Sequence, residues 1–554
     1  MHRDPNLATG HGAGRGAGAP PARFAAHRPA RETPIITARE AAGLVPSGAT
    51  ITTGGFGSCG HPDLLSAALA ERHADTFLPT GLTLVFAAGQ GDKADRGINR
   101  LARHGLLRKV IGGYWALTPA LGQMALRGEI EAHNWPQGVV SHLFRAIASG
   151  RNGVLTEVGL HTFIDPRLEG GKVGPATTED LITVQTVGGR EQLFYPAMPI
   201  DVALLRGSRA DVHGNVTMED EANFQDSLAQ AQAVHNSGGI VIVQVMDVVA
   251  ANSLAPHAVR IPGIFVDYLV VGNADNHWQT YGERLNRSYT GGARDVLAAA
   301  PLFALDAKKI IARRALREIG CYDTPVVNLG IGTPEYIARV AREEAFTGQV
   351  LTIESGVIGG SPAGGLSFGA ASNPQAILDQ GSQFDFYDGG GIDLAFLGFG
   401  QGDRAGNVNI SRFGGRLNGV GGFVNISQSA KRVIFCGTFT ARGLVIEAGR
   451  GRLTIVREGA IAKFVAQVEH MSFSAGWAHA RGRPVMFITE RAVLVLEHGR
   501  LVLTEVAPGI DIGRDIVAAS SADIIVPDHV PLMAASIFHQ QPMHLTDPFS
   551  DYTN

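Results

Sequence analysis

A carboxylate at the end of a short apolar strand, followed by almost bare backbone, is the stretch of this sequence best suited to chemistry. Val350-Leu351-Thr352-Ile353 leads to Glu354, and Ser355-Gly356-Val357-Ile358-Gly359-Gly360-Ser361-Pro362-Ala363-Gly364-Gly365 follows. Open α/β sheets place ligands at the carboxyl ends of their strands. A lone Glu there would be surface decoration. Five glycines in the next eleven residues change that reading, because such a loop presents N–H groups and lets a bulky ligand reach the carboxylate.

Three other patterns compete for attention. Gly55-Phe56-Gly57-Ser58-Cys59-Gly60 satisfies G-x-G-x-x-G, in which a pyrophosphate meets a helix N-terminus. That fingerprint wants an acid at the end of the next strand, whereas Leu82 to Ala88 runs into Gly89 and Gln90, so an anion or oxyanion cradle is the better reading, with a tight structural turn beside it. Gly365-Leu366-Ser367-Phe368-Gly369 fits the nucleophile elbow G-x-S-x-G. An elbow must follow a buried strand, and Ser361-Pro362-Ala363-Gly364 is loop composition. Cys59, His61 and Asp63 form no complete ligand set, so no metal site is expected.

Several motifs together resemble the family I CoA-transferases, especially the acetate and propionate branch, over nearly the whole chain beyond its N-terminal tail. They are Gly54-Gly55-Phe56-Gly57 with Gly60 and Pro62; Asn328-Leu329-Gly330-Ile331-Gly332-Thr333-Pro334; Glu354-Ser355-Gly356 with Gly359-Gly360; Phe384-Asp385-Phe386-Tyr387-Asp388-Gly389-Gly390-Gly391; Gly406-Asn407-Val408-Asn409; and Gly419-Val420-Gly421-Gly422. The resemblance implies two α/β halves with the active site between them, and a homo-oligomer. It implies Glu354 as the catalytic nucleophile, Gly55, Phe56 and Gly57 at the oxyanion and acyl pocket, and Gly330, Ile331, Gly332, Thr333, Gly398, Asn418, Gly421 and Gly422 at coenzyme A. Gly398-Phe399-Gly400-Gln401-Gly402-Asp403 departs from the family, where bulkier residues usually separate the glycines from the aspartate.

The implied activity is transfer of CoA from a short-chain acyl-CoA to a carboxylic acid of the acetate, propionate or butyrate class, with CoA as a substrate and no other cofactor. The residue type suits it. A carboxylate, with an ordinary pKa of about 4.3, is ionised at neutral pH and attacks without a base. The acyl-glutamyl anhydride and glutamyl-CoA thioester it forms keep bond energy that a serine ester would lose, and backbone donors near Gly57 and Gly422 are candidates to hold the oxyanions. Two other classes fit the same residues: a thioesterase that admits water to the anhydride, and a silent CoA-binding sensor, against which an intact Glu354 argues.

Stepping outward from the site, the sequence alternates β-branched runs such as Thr50–Thr53, Leu82–Ala87, Val241–Val245, Val326–Leu329, Val350–Ile353 and Arg432–Phe435 with helical stretches, which predicts an α/β fold with largely parallel sheets. Two passages recur in order. A strand, glycine loop, proline and helix appear at Thr52–Arg72 and again at Asn328–Glu344, and an Asp-x-x-Gly-Asn-Val turn at Asp211–Val216 and Asp403–Val408. Two related halves follow, the first carrying an insertion within about 90–190. Asn273 to Gly292 is polar and aperiodic, which places the junction near it. The expected divisions are a disordered tail over 1–33, rich in Gly, Ala, Pro and Arg, a first domain over 34–285, and a second over 300–530 carrying Glu354.

Composition narrows the class further. Of 554 residues, 45% are hydrophobic, 18% are charged and 71 are glycine, with a formal charge of −4; this predicts a well-cored soluble protein with loop-built function and no nucleic-acid partner. No apolar run is long enough for a membrane span, since Gly239–Ala251 is interrupted by Gln244 and Asp247. Three scattered cysteines, Cys59, Cys321 and Cys436, fit a reducing cytoplasm rather than a disulfide framework.

Overall fold

The computed structural model describes residues 32–295 and 302–545; most of the tail expected over 1–33 lies outside the described residues. Each half is built on one large sheet. In the first, the order from edge to edge is Tyr268–Val271, Ile240–Val245, Val202–Arg206, Thr50–Thr53, Leu82–Phe86, Leu107–Gly112, Glu131–Asn134 and Lys172–Val173, and only the last pairing is antiparallel. In the second, Val485–Ile488, Arg432–Cys436, Leu394–Gly398, Val326–Leu329 and Val350–Thr352 run parallel in that order. Antiparallel strands extend it on both sides. The shared order, with Thr50–Thr53 between Leu82–Phe86 and Val202–Arg206 and Val326–Leu329 between Val350–Thr352 and Leu394–Gly398, is the structural counterpart of the repeated passages in the sequence.

Runs of Val, Ile, Leu and Thr become strands buried on both faces, as in Leu82–Phe86 and Val202–Arg206, because helices cover a parallel sheet from either side. The repeat extends to single hydrogen bonds. Asp211 accepts from the His213 and Asn215 amides and from Asn215 Nδ2; Asp403 accepts from the Ala405 and Asn407 amides and from Asn407 Nδ2. Gly214 and Gly406 close these turns at φ +80° and +83°, left-handed values that favour glycine. Asp201 receives the Thr50 amide and Asp393 the Val326 amide. The insertion in the first half supplies Leu107–Gly112, Glu131–Asn134 and a three-stranded sheet of Gly153–Thr156, Arg190–Pro196 and Thr183–Val187.

The halves share a core rather than touching at a rim. Trp135, Phe144 and Tyr195 from the first belong to one apolar cluster with Phe384, Tyr387, Phe423 and Phe435 from the second. At the other end of the second half, Met533, Ile537 and Phe538 pack with Ile310 and Phe396, so the packed chain runs beyond residue 530. The polar stretch 273–292 is a strap bonded to both halves. The Tyr281 amide donates to Ser58 O, the Gly282 amide to Leu366 O, Thr280 Oγ1 meets Ser367 Oγ, and Ser288 Oγ donates to Ser372 Oγ. Part of its polarity serves these bonds, while Asn273, Asp275, Arg284 and Arg287 face solvent.

The paired aspartate turns yield a test. Asp403 is buried, and replacing a charged acceptor with three donors by Ala strands those donors, at about 1.5–3 kcal/mol for each bond to a charged group before relaxation. Asp403→Ala and Asp211→Ala should each lower the denaturant midpoint measurably, whereas an unchanged midpoint would show that the turns do not stabilise the halves that carry them.

Candidate active site

Glu354 owes its position to a tight turn. The strand Val350–Thr352 ends at Ile353, whose amide donates to Val357 O while the Gly356 amide returns to Ile353 O. Gly356 has φ +102°, and a Cβ there would lie 2.0 Å from the Leu378 carbonyl oxygen; glycine alone allows the chain to reverse so closely. Ser355 is buried and donates to Gly369 O at 2.8 Å. The turn leaves Glu354 half-buried and facing a cavity of about 390 Å³ between the halves.

The first half contributes Phe56, Gly57, Ala88, Gly89, Tyr114 and Gln137 to its wall, and the second Gly330, Ile331, Phe368, Phe399, Phe413 and the loop 418–422. That loop is fastened to the first half by its backbone. Trp115 and Ala116 amides both donate to Asn418 O, the Gln137 amide donates to Gly421 O, the Gly421 amide to Gly113 O, and the Val420 amide to Asn134 Oδ1. A Cβ on Gly419 would lie 2.5 Å from the Trp115 ring, so the two backbones touch. Gly422 comes next, and a Cβ there would stand 3.0 Å from Glu354 Cγ and 3.3 Å from Oε1. Among the described residues its amide has no hydrogen-bond acceptor.

Burial pushes the Glu354 carboxyl up to about 7, against a smaller downward pull from its own backbone. Burial also raises the Tyr114 phenol, with Glu335 and Glu354 acting the same way, and the Tyr387 phenol, with Glu354 again adding to the effect. Both rings therefore stay neutral beside the carboxylate. Glu335 is itself raised by burial while accepting the Gly332 amide at 3.0 Å.

Of the residues expected from sequence, Glu354, Phe56, Gly57, Gly330, Ile331, Gly398, Asn418, Gly421 and Gly422 line this one cavity. Gly55, Gly332 and Thr333 do not. Gly55 lies against the Gln90 side chain, Gly332 is held by Glu335, and Thr333 precedes the helix Glu335–Glu343. The Gly57 amide is already donated to Gly89 O, leaving Gly422 as the uncommitted donor of the two proposed from sequence. Tyr114, Gln137, Lys93 and Phe368 also line the cavity and had no motif to announce them, although Tyr114 follows the carboxyl end of the strand Leu107–Gly112. The serine of G-x-S-x-G is occupied elsewhere: Ser367 Oγ bonds Thr280 and Glu283. His61 spends both ring nitrogens on Gln90 and Ser66.

The sequence model of the family described as coenzyme A transferase matches residues 35–272. Caffeate CoA-transferase of Acetobacterium woodii is 42% identical over 490 residues, 87% of this chain and 93% of that one. Acetate CoA-transferase YdiF of Escherichia coli (strain K12) is 40% identical over 508 residues, 91% of this chain and 95% of that one. The crystal structure of the acyl-CoA transferase YdiF apoenzyme from Escherichia coli O157:H7 superposes with a TM-score of 0.88 at 39% identity, covering 93% of this chain and 98% of that one. The chain belongs to the coenzyme A transferase family. It is a CoA-transferase, and it moves coenzyme A between an acyl-CoA and a carboxylate. Among the described residues no helix is long and apolar enough to cross a membrane.

A carboxylate whose pKa burial raises carries a stability cost of definite sign. Its folded pKa of about 7 exceeds the unfolded value of about 4.3, so ionisation opposes folding above the unfolded value, and the effect is complete above the folded one. Glu354→Gln should therefore unfold at higher denaturant than the parent at pH 8, by about 1–3 kcal/mol, with the gain vanishing below about pH 4. An equal or lower midpoint at pH 8 would contradict the burial described.

Proposed function

We propose that Glu354 is the nucleophile of a ping-pong CoA transfer among short-chain acids of the acetate, propionate and butyrate class. The observation that carries this reading is the placement of its carboxylate in the cavity between the halves, beside the uncommitted Gly422 amide. The Glu354 carboxylate attacks the acyl-CoA carbonyl, forming a mixed anhydride and releasing CoA thiolate. The thiolate attacks the glutamyl carbonyl, forming the glutamyl-CoA thioester and releasing the first acid as its carboxylate. The acceptor carboxylate attacks that thioester to give a new anhydride and thiolate, and the thiolate then takes the acyl group and restores Glu354. No step consumes a proton or an electron.

Each tetrahedral species carries an oxyanion, for which the uncommitted Gly422 amide is the proposed donor; one such donor contributes about 2.7–4 kcal/mol in other enzymes. The rings of Phe56, Phe368, Phe399 and Phe413 keep water from the anhydride, which favours transfer over hydrolysis. Gly330, Ile331, Gly398, Asn418 and Gly421 are proposed to hold CoA, joined by Gly332 and Thr333 beyond the cavity wall. Gly55 is proposed to support Phe56 and Gly57 at the acyl pocket from behind. CoA is the substrate, with no further cofactor in the scheme. Free Cys59, Cys321 and Cys436 support a cytoplasmic setting, and a homo-oligomer is the proposed assembly. Residues 34–285 and 300–530 are proposed as the two CoA-transferase domains, supported by the separate sheets they carry.

The names of the relatives span small and aromatic acids, so the acceptor range is a direct test. With a fixed short acyl-CoA donor, exchange should be fastest with acetate, propionate or butyrate, and Glu354→Gln should abolish it while CoA binding persists. A preference for acids beyond about eight carbons, or undiminished exchange by the Gln variant, would overturn the reading. Ionisation of Glu354 sets the pH dependence: kcat/KM should rise about tenfold per unit below pH 7 and level off above it, and a profile flat from pH 5 to 8 would contradict the role.

A further inference from the structure

The loop 364–369 carries a serine used for anchoring and an aromatic ring used at the cavity. Phe368 sits one residue beyond Ser367, against the Gly55–Cys59 loop of the first half. The contact is reciprocal. A Cβ on Gly57 would lie 2.8 Å from Phe368 O and 3.1 Å from its ring, and a Cβ on Gly369 would lie 2.7 Å from the Phe56 ring. Each ring thus presses on a glycine beside the other, and the ring centroids are 5.8 Å apart. Neither glycine admits a side chain without moving a ring that faces the substrate.

The mount is rigid. Ser367 Oγ meets Thr280 Oγ1 at 2.9 Å and donates to Glu283 at 3.2 Å, the Gly282 amide donates to Leu366 O, and Gly369 O accepts from both Ser355 Oγ and Asn223 Nδ2. Ser355 adjoins Glu354, so ring and carboxylate are held by one bonded frame. The cavity opens where Lys93 and Ile331 are exposed and closes where Phe56 and Ala88 are buried. Phe368 belongs to the closed end: it packs on a small cluster of Phe56, Ala88, Ile353, Val357 and Ala371, separate from the large cores.

We propose that Phe368 closes the acyl end of the cavity and determines how large an acid the enzyme accepts. The inference rests on Glu354 as the point of acyl attachment. From there the CoA arm must leave through the open end, so the acyl group is directed toward the closed end and the Phe56–Phe368 pair. The ring limits the space there, and its removal should admit additional carbons.

In ping-pong exchange, kcat/KM for the acceptor reports only the reaction of the CoA-charged enzyme with that acid, so ratios between acceptors are independent of the donor. Acetate, butyrate, hexanoate and 3-phenylpropenoate would be compared in the parent, Phe368→Ala and Phe368→Leu. One methylene in a pocket is worth roughly 10–200-fold. Phe368→Ala should raise the hexanoate-to-acetate ratio at least tenfold, and Phe368→Leu, which keeps most of the packing, should raise it by a smaller factor. Ratios within twofold of the parent in the folded variants, including a uniform loss on all four acids, would overturn the proposal and reduce Phe368 to a clasp between the halves. If the Ala variant does not fold, the Leu variant decides, with a threefold rise expected. Glu354→Gln run alongside separates this question from the nucleophile: activity persisting there removes Glu354 from the mechanism, whereas the acceptor ratios alone judge Phe368.

Discussion

The close approach of two backbones at the loop 418–422 is the constraint on which the site depends. Five amides of the first and second halves cross there, from Trp115, Ala116 and Gln137 in one direction and Val420 and Gly421 in the other. Such proximity is possible because Gly419 has no side chain to separate the two stretches of chain; a Cβ there would lie 2.5 Å from the Trp115 ring and 2.7 Å from Gly113 O. With the loop so fixed, the Gly422 backbone lies against the Glu354 side chain. The shared apolar core of Trp135, Phe384 and Phe423 backs this seam, so the halves cannot separate without breaking both. Charge-free contacts of this kind are insensitive to salt, and they hold a donor in place without reorganisation when an oxyanion forms.

Within that frame the decisive electrostatic fact is a half-buried carboxylate with few polar neighbours. Burial raises its pKa to about 7, which leaves it substantially ionised near neutrality while making it a more basic nucleophile than an exposed glutamate. The same burial opposes folding, whereas other buried carboxylates of the protein stand beside guanidinium groups. Arg491 is bonded to Glu490 and Glu458, and Arg206 to Glu221. Glu354 differs from these carboxylates in having no ion-pair partner within 4 Å among the described residues. A guanidinium beside it would lower both its pKa and its reactivity.

Much of this was legible in the sequence, for identifiable reasons. Two strand–glycine–proline–helix passages and two Asp-x-x-Gly-Asn-Val turns reflect local geometry, and local geometry is what spacing encodes; their structural counterparts match down to the amides on Asp211 and Asp403. Glu354 stood out because a strand end and a glycine loop are adjacent along the chain. What could not be read were contacts made across the halves. Tyr114 and Gln137 enter the cavity from the insertion, and Phe368 reaches it from a segment whose serine drew attention instead. The strap at 273–292 shows a second limit: polar composition does not distinguish side chains bonded to water from those bonded to a neighbouring loop, and Thr280 and Ser288 are of the latter kind.

The central claim is that CoA becomes covalently attached to Glu354 during turnover. Incubating the protein with acyl-CoA and no acceptor, quenching it, and measuring intact mass and then peptide masses tests this most directly. One CoA-sized adduct is expected, on the peptide carrying Glu354, discharged by added carboxylate and absent from Glu354→Gln. An adduct on Ser367 or on any of the three cysteines, or none in a preparation that is actively exchanging CoA, would contradict it.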